Sequence, residues 1–231
     1  TKFILVDSDW REIARMEKEQ VEVLNISTPG ASYRLRKENR GDFFKKFVHP
    51  DYDVIKLGPN GSARDRVTGK IKFYDNAESG NTNDVKFRNI IKSIFSEDWS
   101  DKNNLPVDIM ILAGLSGGNG SGTFEEIAVH AREACRTAGA SAVRVFGYLF
   151  LPDTMEAIFR NNQDDLNAIY SNGYAALKEL ESYMSIPASP GRSEKFFSRD
   201  GVTIECNNDK RLFDYPVLIS GTYDESKSMM A

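Results

Sequence analysis

The chain has 231 residues, of which 40% are apolar and 28% charged, with a formal net charge of -4. That length holds one large domain or two small ones, and the composition is ordinary for a soluble globular protein. The acidic balance argues against a nucleic-acid binder and suits a cytoplasmic protein, no apolar run approaches the ~18 residues of a membrane span, and Cys135 and Cys206 form neither a disulfide framework nor a CxxC metal pattern.

The chain opens inside an apolar strand, Phe3 to Asp7, without an initiator Met, so it reads as a cut-out fragment. Trp10 to Gln20 reads as a helix with Asp9 as a plausible cap, and Val21 to Ile26 as a short strand closed by Pro29-Gly30. Asp42 to Val48 is a short amphipathic helix, Pro59 to Ser62 a loop, and Val67 to Tyr74 ambiguous. Asn83 to Phe95 is helical through Val85, Ile90, Ile91 and Ile94. Val107 to Ala113 reads as a buried strand, Thr123 to Ala138 as an amphipathic helix, and Ala142 to Leu151 as a strand ended by Pro152. Cys135 is expected to pack inside that helix. His49 and His130 lack HxxxH spacing, so a metal site built on them is not expected. Glu156 to Tyr183 reads as one helix or two, residues 187–201 as loop-rich, and Thr203 to Cys206 and Tyr215 to Ser220 as short strands. Alternating strands and helices predict an α/β fold with a largely parallel sheet.

The run from Gly114 to Thr123 holds five glycines between the strand and the helix that follows. Unobstructed amides and the positive end of a helix favour an anion there, and phosphate is the natural one. A Walker A loop would need a Lys before Thr123, where Gly122 stands. A dinucleotide fingerprint would need a different third glycine spacing and an acidic residue about twenty positions on, where Ala142 stands. A glycine-rich turn without a ligand would need one or two glycines, not five.

In its strand-loop-helix setting, Ala113-Gly114-Leu115-Ser116-Gly117-Gly118-Asn119-Gly120-Ser121-Gly122 resembles the GGGTGTG or GGGTGSG signature of the tubulin and FtsZ superfamily. Ser116 stands for its first glycine and Asn119 for its threonine. The resemblance implies a Rossmann-like three-layer GTPase domain. In it Gly114, Ser116, Gly117, Gly118, Asn119, Gly120, Ser121 and Gly122 would hold the phosphates of GTP or GDP. Val6-Asp7-Ser8-Asp9 resembles the V-D-L-E of tubulins, which implies that Asp7 and Asp9 lie near the nucleotide's Mg2+ through water. A strand-end Asp7 and a capping Asp9 would explain these residues equally well. Leu57 to Gly69 looks like the superfamily's loop at the terminal phosphate, with Gly61, Ser62, Ala63 and Arg64 as candidate contacts and Lys70 where an arginine is usual. A plain surface turn is the alternative.

The resemblance extends to Asp153, at the place of the ribose loop, with a helix cap as the alternative. It reaches Tyr170 to Leu180, which looks like the start of the central helix of divergent bacterial tubulin-like proteins. Asn172 would then read the guanine edge, and Tyr170 or Tyr174 would stack on the base. Tyr174 suits a core position as well, and Asn161 and Asn162 are further base candidates. Asp224 and Glu225 are the candidates for the catalytic acids that one subunit would insert into the next, or an exposed helix cap. Residues 1–185 would form the nucleotide-binding domain without its first strand and loop. Residues 186–231 would be an insertion or linker toward a C-terminal domain. The function implied is a GTP-binding cytoskeletal protein that assembles head to tail and hydrolyses GTP between subunits, with adaptor proteins as further partners. The alternative is an interaction module that binds nucleotide without polymerising, and more remotely a dinucleotide-dependent enzyme.

Overall fold

The computed structural model describes residues 2–7, 9, 21–26, 48, 62, 64–75, 82–98, 106–186, 191–198, 200–207 and 211–221. The expected helices at Trp10 to Gln20 and Asp42 to Val48 lie outside them, Val48 excepted. The elements in chain order are β1 (Ile4–Asp7), β2 (Glu22–Asn25), α1 (Arg66–Tyr74), α2 (Asn83–Asp98), β3 (Pro106–Gly114) and α3 (Gly118–Thr137). They continue with β4 (Ala142–Phe150), α4 (Asp153–Phe159), α5 (Gln163–Met184), β5 (Glu194–Phe197), β6 (Thr203–Cys206) and β7 (Tyr215–Ile219). The class is α/β. β3, β4 and β7 form a parallel sheet in that order, with Val107 opposite Val143 and Phe146 opposite Tyr215. β1 and β2 are also parallel, whereas β5 and β6 make an antiparallel pair.

Helix α3 is the spine. Its outer turns bury Ala131, Ala134 and Cys135 with Ile71 and Phe73 of α1, Phe87 and Ile91 of α2, Val107 of β3, and Leu24 and Ile26 of the β2 segment. Its inner turns bury Phe124 and Ala128 with Ile111, Val145 and Leu149 of the central sheet. Ala176 and Leu180 of α5, Phe196 of β5, Ile204 of β6, and Leu212 and Phe213 before β7 close the same cluster. Residues after 186 thus share a core with those before it. Burial of this kind contributes about 25 cal/mol per Å² of apolar surface, which is why the sheet and α3 form one unit.

Two sequence expectations change and one ambiguity is resolved. Helix α3 starts at Gly118, five residues before Thr123, so much of the glycine run is helical. The ambiguous stretch after residue 66 is helix α1, started by Asp65, whose Oδ1 accepts from the amides of Val67 at 3.0 Å and Thr68 at 3.4 Å. β3 is not buried throughout: its residues alternate, and Met110 and Leu112 are 64% and 68% exposed. Among the described residues only the α3 side of the central sheet is covered. The long stretch from 156 to 183 divides into α4 and α5. Asn162 caps α5 by accepting from the amides of Asp164 at 3.1 Å and Asp165 at 3.3 Å, so this candidate base contact is spent on a helix start.

Candidate functional site

The carboxyl ends of β1, β3 and β4 meet the first turn of α3. Leu115 donates its amide to the Phe150 carbonyl at 2.9 Å, which fixes the exit of β3. Gly117 is the N-cap, in extended backbone, and among the described residues no side chain caps the turn behind it. The first-turn amides of α3 therefore lack the side-chain acceptor that Asp65 provides on α1, and a helix start in that condition favours an anion. Open α/β sheets place ligands at this end of their strands.

The glycines do two jobs. A Cβ on Gly117 or Gly114 would meet nothing within 4 Å. A Cβ on Gly118 would lie 2.5 Å from the Asp65 nitrogen, and one on Gly122 would run into the Arg66 carbonyl. One on Gly69 would run into the Gly118 carbonyl, and one on Gly120 would lie 2.7 Å from the Gly114 oxygen. So Gly118, Gly122 and Gly69 let the starts of α1 and α3 cross backbone to backbone, and Gly120 lets α3 settle on the end of β3. The hydroxyl of Ser121 donates to the Gly117 carbonyl and that of Thr123 to the Asn119 carbonyl at 2.8 Å, so both point along the helix. Arg66 seals the crossing by donating to the Ser121 carbonyl at 2.8 and 3.1 Å and pairing with Glu179 of α5.

Asn119 donates from Nδ2 to the Val6 carbonyl at 3.2 Å, which brings the end of β1 to this turn. Asp7 Oδ1 accepts from the Asp9 amide at 2.9 Å. Lys72 of α1 is fully buried with its ammonium facing Asp7 and Asp9. Burial pulls its pKa down to about 8, against the opposing pull of the two carboxylates. The two Asp residues offer hard oxygens beside the loop, which suits a magnesium ion that keeps its own waters. Among the described residues no group of three His, Cys, Asp or Glu side chains gathers to ligate a metal directly.

Asn172 brings a second pair of segments together. Its Nδ2 donates to the Ser116 carbonyl at 2.9 Å and to the Arg64 carbonyl at 2.7 Å. Arg64 has a left-handed backbone, φ 61°, and closes a turn in which the Asp65 amide donates to the Ser62 carbonyl at 2.8 Å. Its guanidinium pairs with Asp165 and lies 5.2 Å from the centre of the Phe159 ring. Gly61, Ala63, Asp224 and Glu225 lie outside the described residues.

Asp153 is the first residue of α4, whose N-cap is Pro152, so it is not the cap of that helix. Its Oδ2 accepts from the Gly221 amide at 3.1 Å and from the Ser220 hydroxyl, tying α4 to the end of β7. Tyr170 is 44% exposed and donates to Glu156 at 2.8 Å. Tyr174 is 69% exposed, which removes it from the core. Asn161 is exposed as well.

Behind the glycine-rich turn at the start of α3 lies a buried polar network that the sequence did not single out. Lys70 pairs with Glu126 at 2.9 Å and Glu125 at 3.6 Å. Burial raises the Glu125 carboxyl well above its ordinary range, and a hydrogen bond with Glu179 adds to the rise. Tyr74 donates to Glu126 at 2.7 Å and sits 3.4 Å from His130 Nε2. Glu-Glu on an amphipathic helix reads as a solvated face, and the packing of α1 and α5 against α3 buries it.

A family model described as tubulin-like matches residues 2–220. No curated protein and no solved structure matches the chain.

Proposed function

From the chain's membership of the tubulin-like family, we propose that it binds a guanine nucleotide, GTP or GDP, at the start of α3 and hydrolyses GTP when subunits assemble head to tail. The observation that carries this reading is the open first turn of α3 at the carboxyl ends of parallel strands, with Gly117 leaving room in front of it. The amides around Gly117 and Gly118 would cradle the phosphates. Asp7 and Asp9 would hold Mg2+ through water, and that ion would neutralise phosphate charge. By the family resemblance Asp153 would take the ribose, and Tyr170 and Tyr174 offer exposed rings to a base.

Hydrolysis of the terminal phosphate is mainly positioning and charge stabilisation. Water adds to the γ-phosphorus, the bond to the β–γ bridging oxygen breaks, and a carboxylate takes the proton from the water. Asp224 and Glu225 of the neighbouring subunit are the proposed proton acceptors. A head-to-tail contact does not use the same patch twice, so it grows open filaments unless it closes into a ring. The protein would work in the cytoplasm with itself and with adaptor proteins as partners. Among the described residues no helix is long and apolar enough to cross a membrane.

Ser116 and Asn119, which depart from the superfamily signature, are both tied into the fold through a carbonyl or an amide. That also suits a module that binds nucleotide without polymerising. GTP hydrolysis measured across a protein concentration series, with light scattering in parallel, separates the two. A rate per subunit that climbs with concentration together with scattering supports the filament GTPase. GTP binding with a flat rate and no scattering supports the module, and no GTP binding removes both.

A further inference from the structure

Asn172 is expected from the resemblance to read guanine, and its surroundings give it other work. A side-chain amide that reads the guanine edge by donor and acceptor together donates one hydrogen to O6 and accepts from the ring edge through its oxygen. Asn172 has two N–H groups, and the carbonyls of Ser116 and Arg64 lie 2.9 and 2.7 Å from its Nδ2. Neither carbonyl can donate, so the orientation of the amide is fixed and both hydrogens are spent. The two carbonyls belong to the loop that enters α3 and to the turn that enters α1. Both segments border the phosphate end of the site.

The same turn is gripped a second time. Arg64 holds a left-handed backbone that disfavours a residue with a Cβ. Its side chain is fixed by Asp165 of α5 and by the Phe159 ring of α4. The turn is thus held to α4 and α5 through both its main chain and its side chain. Gly173, next to Asn172, has no room for a Cβ against Pro152, so α5 is seated tightly where the clamp lies.

We propose that Asn172 is a positioning residue for the phosphate end of the nucleotide site, clamping the Ser116 loop to the Arg64 turn, and that its amide does not select the base. The inference rests on the nucleotide-binding reading above. It deepens that reading by separating phosphate capture from base choice.

The test uses the full chain and measures the affinities of GTP and ATP for the wild type, Asn172→Ala and Asn172→Asp. Hydrogen exchange is followed in the free proteins. The clamp predicts that Asn172→Ala weakens GTP and ATP by the same factor, about tenfold for two lost hydrogen bonds. The ratio of the two affinities stays within about twofold of the wild type, and exchange quickens at residues 64–66 and 115–119. Asn172→Asp, which sets a carboxylate against two carbonyls, weakens both nucleotides further. A selective loss of GTP with ATP unchanged overturns the proposal and makes Asn172 a base reader. Unchanged exchange with unchanged affinities also overturns it. If a variant is too unstable to load with nucleotide, its exchange pattern decides: protection lost first at those two segments supports the clamp, and uniform loss overturns it. If the wild type binds neither nucleotide, the reading above falls and the inference falls with it.

Discussion

His130 shows how far a single side chain can depart from what its sequence neighbourhood suggests. In the sequence it is one of two scattered histidines, and in the fold it is fully buried, edge-on to Phe73 and Tyr74. It faces Glu126, Asp84, Arg88 and Asp200, yet burial dominates and holds its pKa down to about 4 from 6.5. The folded state therefore refuses a proton that the unfolded chain accepts anywhere between those values. Stability contributed by the neutral ring is full above pH 6.5 and is lost as pH falls toward 4, a total of about 3 kcal/mol at 1.36 kcal/mol per unit. His130→Gln should flatten the fall in melting temperature between pH 6.5 and 4. Melts at half-unit pH steps check this, and an unchanged slope would assign the acid lability to other groups. Nothing in the sequence marks His130 or its neighbours Glu125 and Glu126 as buried. Their burial comes from the placement of α1, and the stretch that forms α1 was ambiguous because Thr68 and Gly69 interrupt its helical pattern.

At the scale of elements, the parallel sheet and the helix after the glycine run were legible, because strand and helix periods alternate from residue 107 to residue 183, whereas β5 lies inside the stretch 187–201 that reads as loop-rich. The boundary of α3 was not. Glycine costs about 1 kcal/mol per residue in a helix interior, so local propensity starts the helix only after the run. Backbone-to-backbone packing against α1 overrides that cost at Gly118 and Gly122, which is a tertiary fact. The glycine run is therefore half open turn and half helix crossing, and two substitutions should separate the proposed ligand role of the first from the packing role of the second. Gly122→Ala drives a methyl into the Arg66 carbonyl and should cost 2 kcal/mol or more, roughly 4–8 °C in melting temperature for a domain of this size. Gly117→Asp meets open space at Cβ and places a carboxylate at the N-cap of α3, where it can accept from the first-turn amides. That variant should be as stable as the wild type or up to about 1 kcal/mol more so, while losing nucleotide. Thermal melts and GTP titration check both. A stable Gly117→Asp protein that still binds GTP would place the phosphates elsewhere.

For the whole molecule the open question is which surfaces meet. Parallel sheets normally bury both faces, and here Met110, Leu112, Tyr215 and Val217 remain exposed on the central sheet among the described residues. Their strand assignment was readable from the sequence, but their exposure depends on what lies opposite, which no local pattern encodes. The same holds for hydrolysis. If the phosphate site and the catalytic acids sit at opposite ends of a subunit, neither alone is an active site, and two inactive proteins can complement each other. Gly117→Asp should supply intact acids with no nucleotide site, and Asp224→Asn with Glu225→Gln should supply an intact site with no acids. Each should be inactive alone. Mixed in equal amounts at assembling concentration, about one head-to-tail contact in four would pair an intact site with intact acids, so GTP turnover should reach about a quarter of the wild-type rate. Recovery depends on the contact being heterologous, because hydrolysis within one subunit would leave the mixture as inactive as its parts. A mixture that shows no turnover while scattering reports assembly would therefore move the catalytic acids away from residues 224 and 225. Full turnover in the acid-free variant alone would do the same.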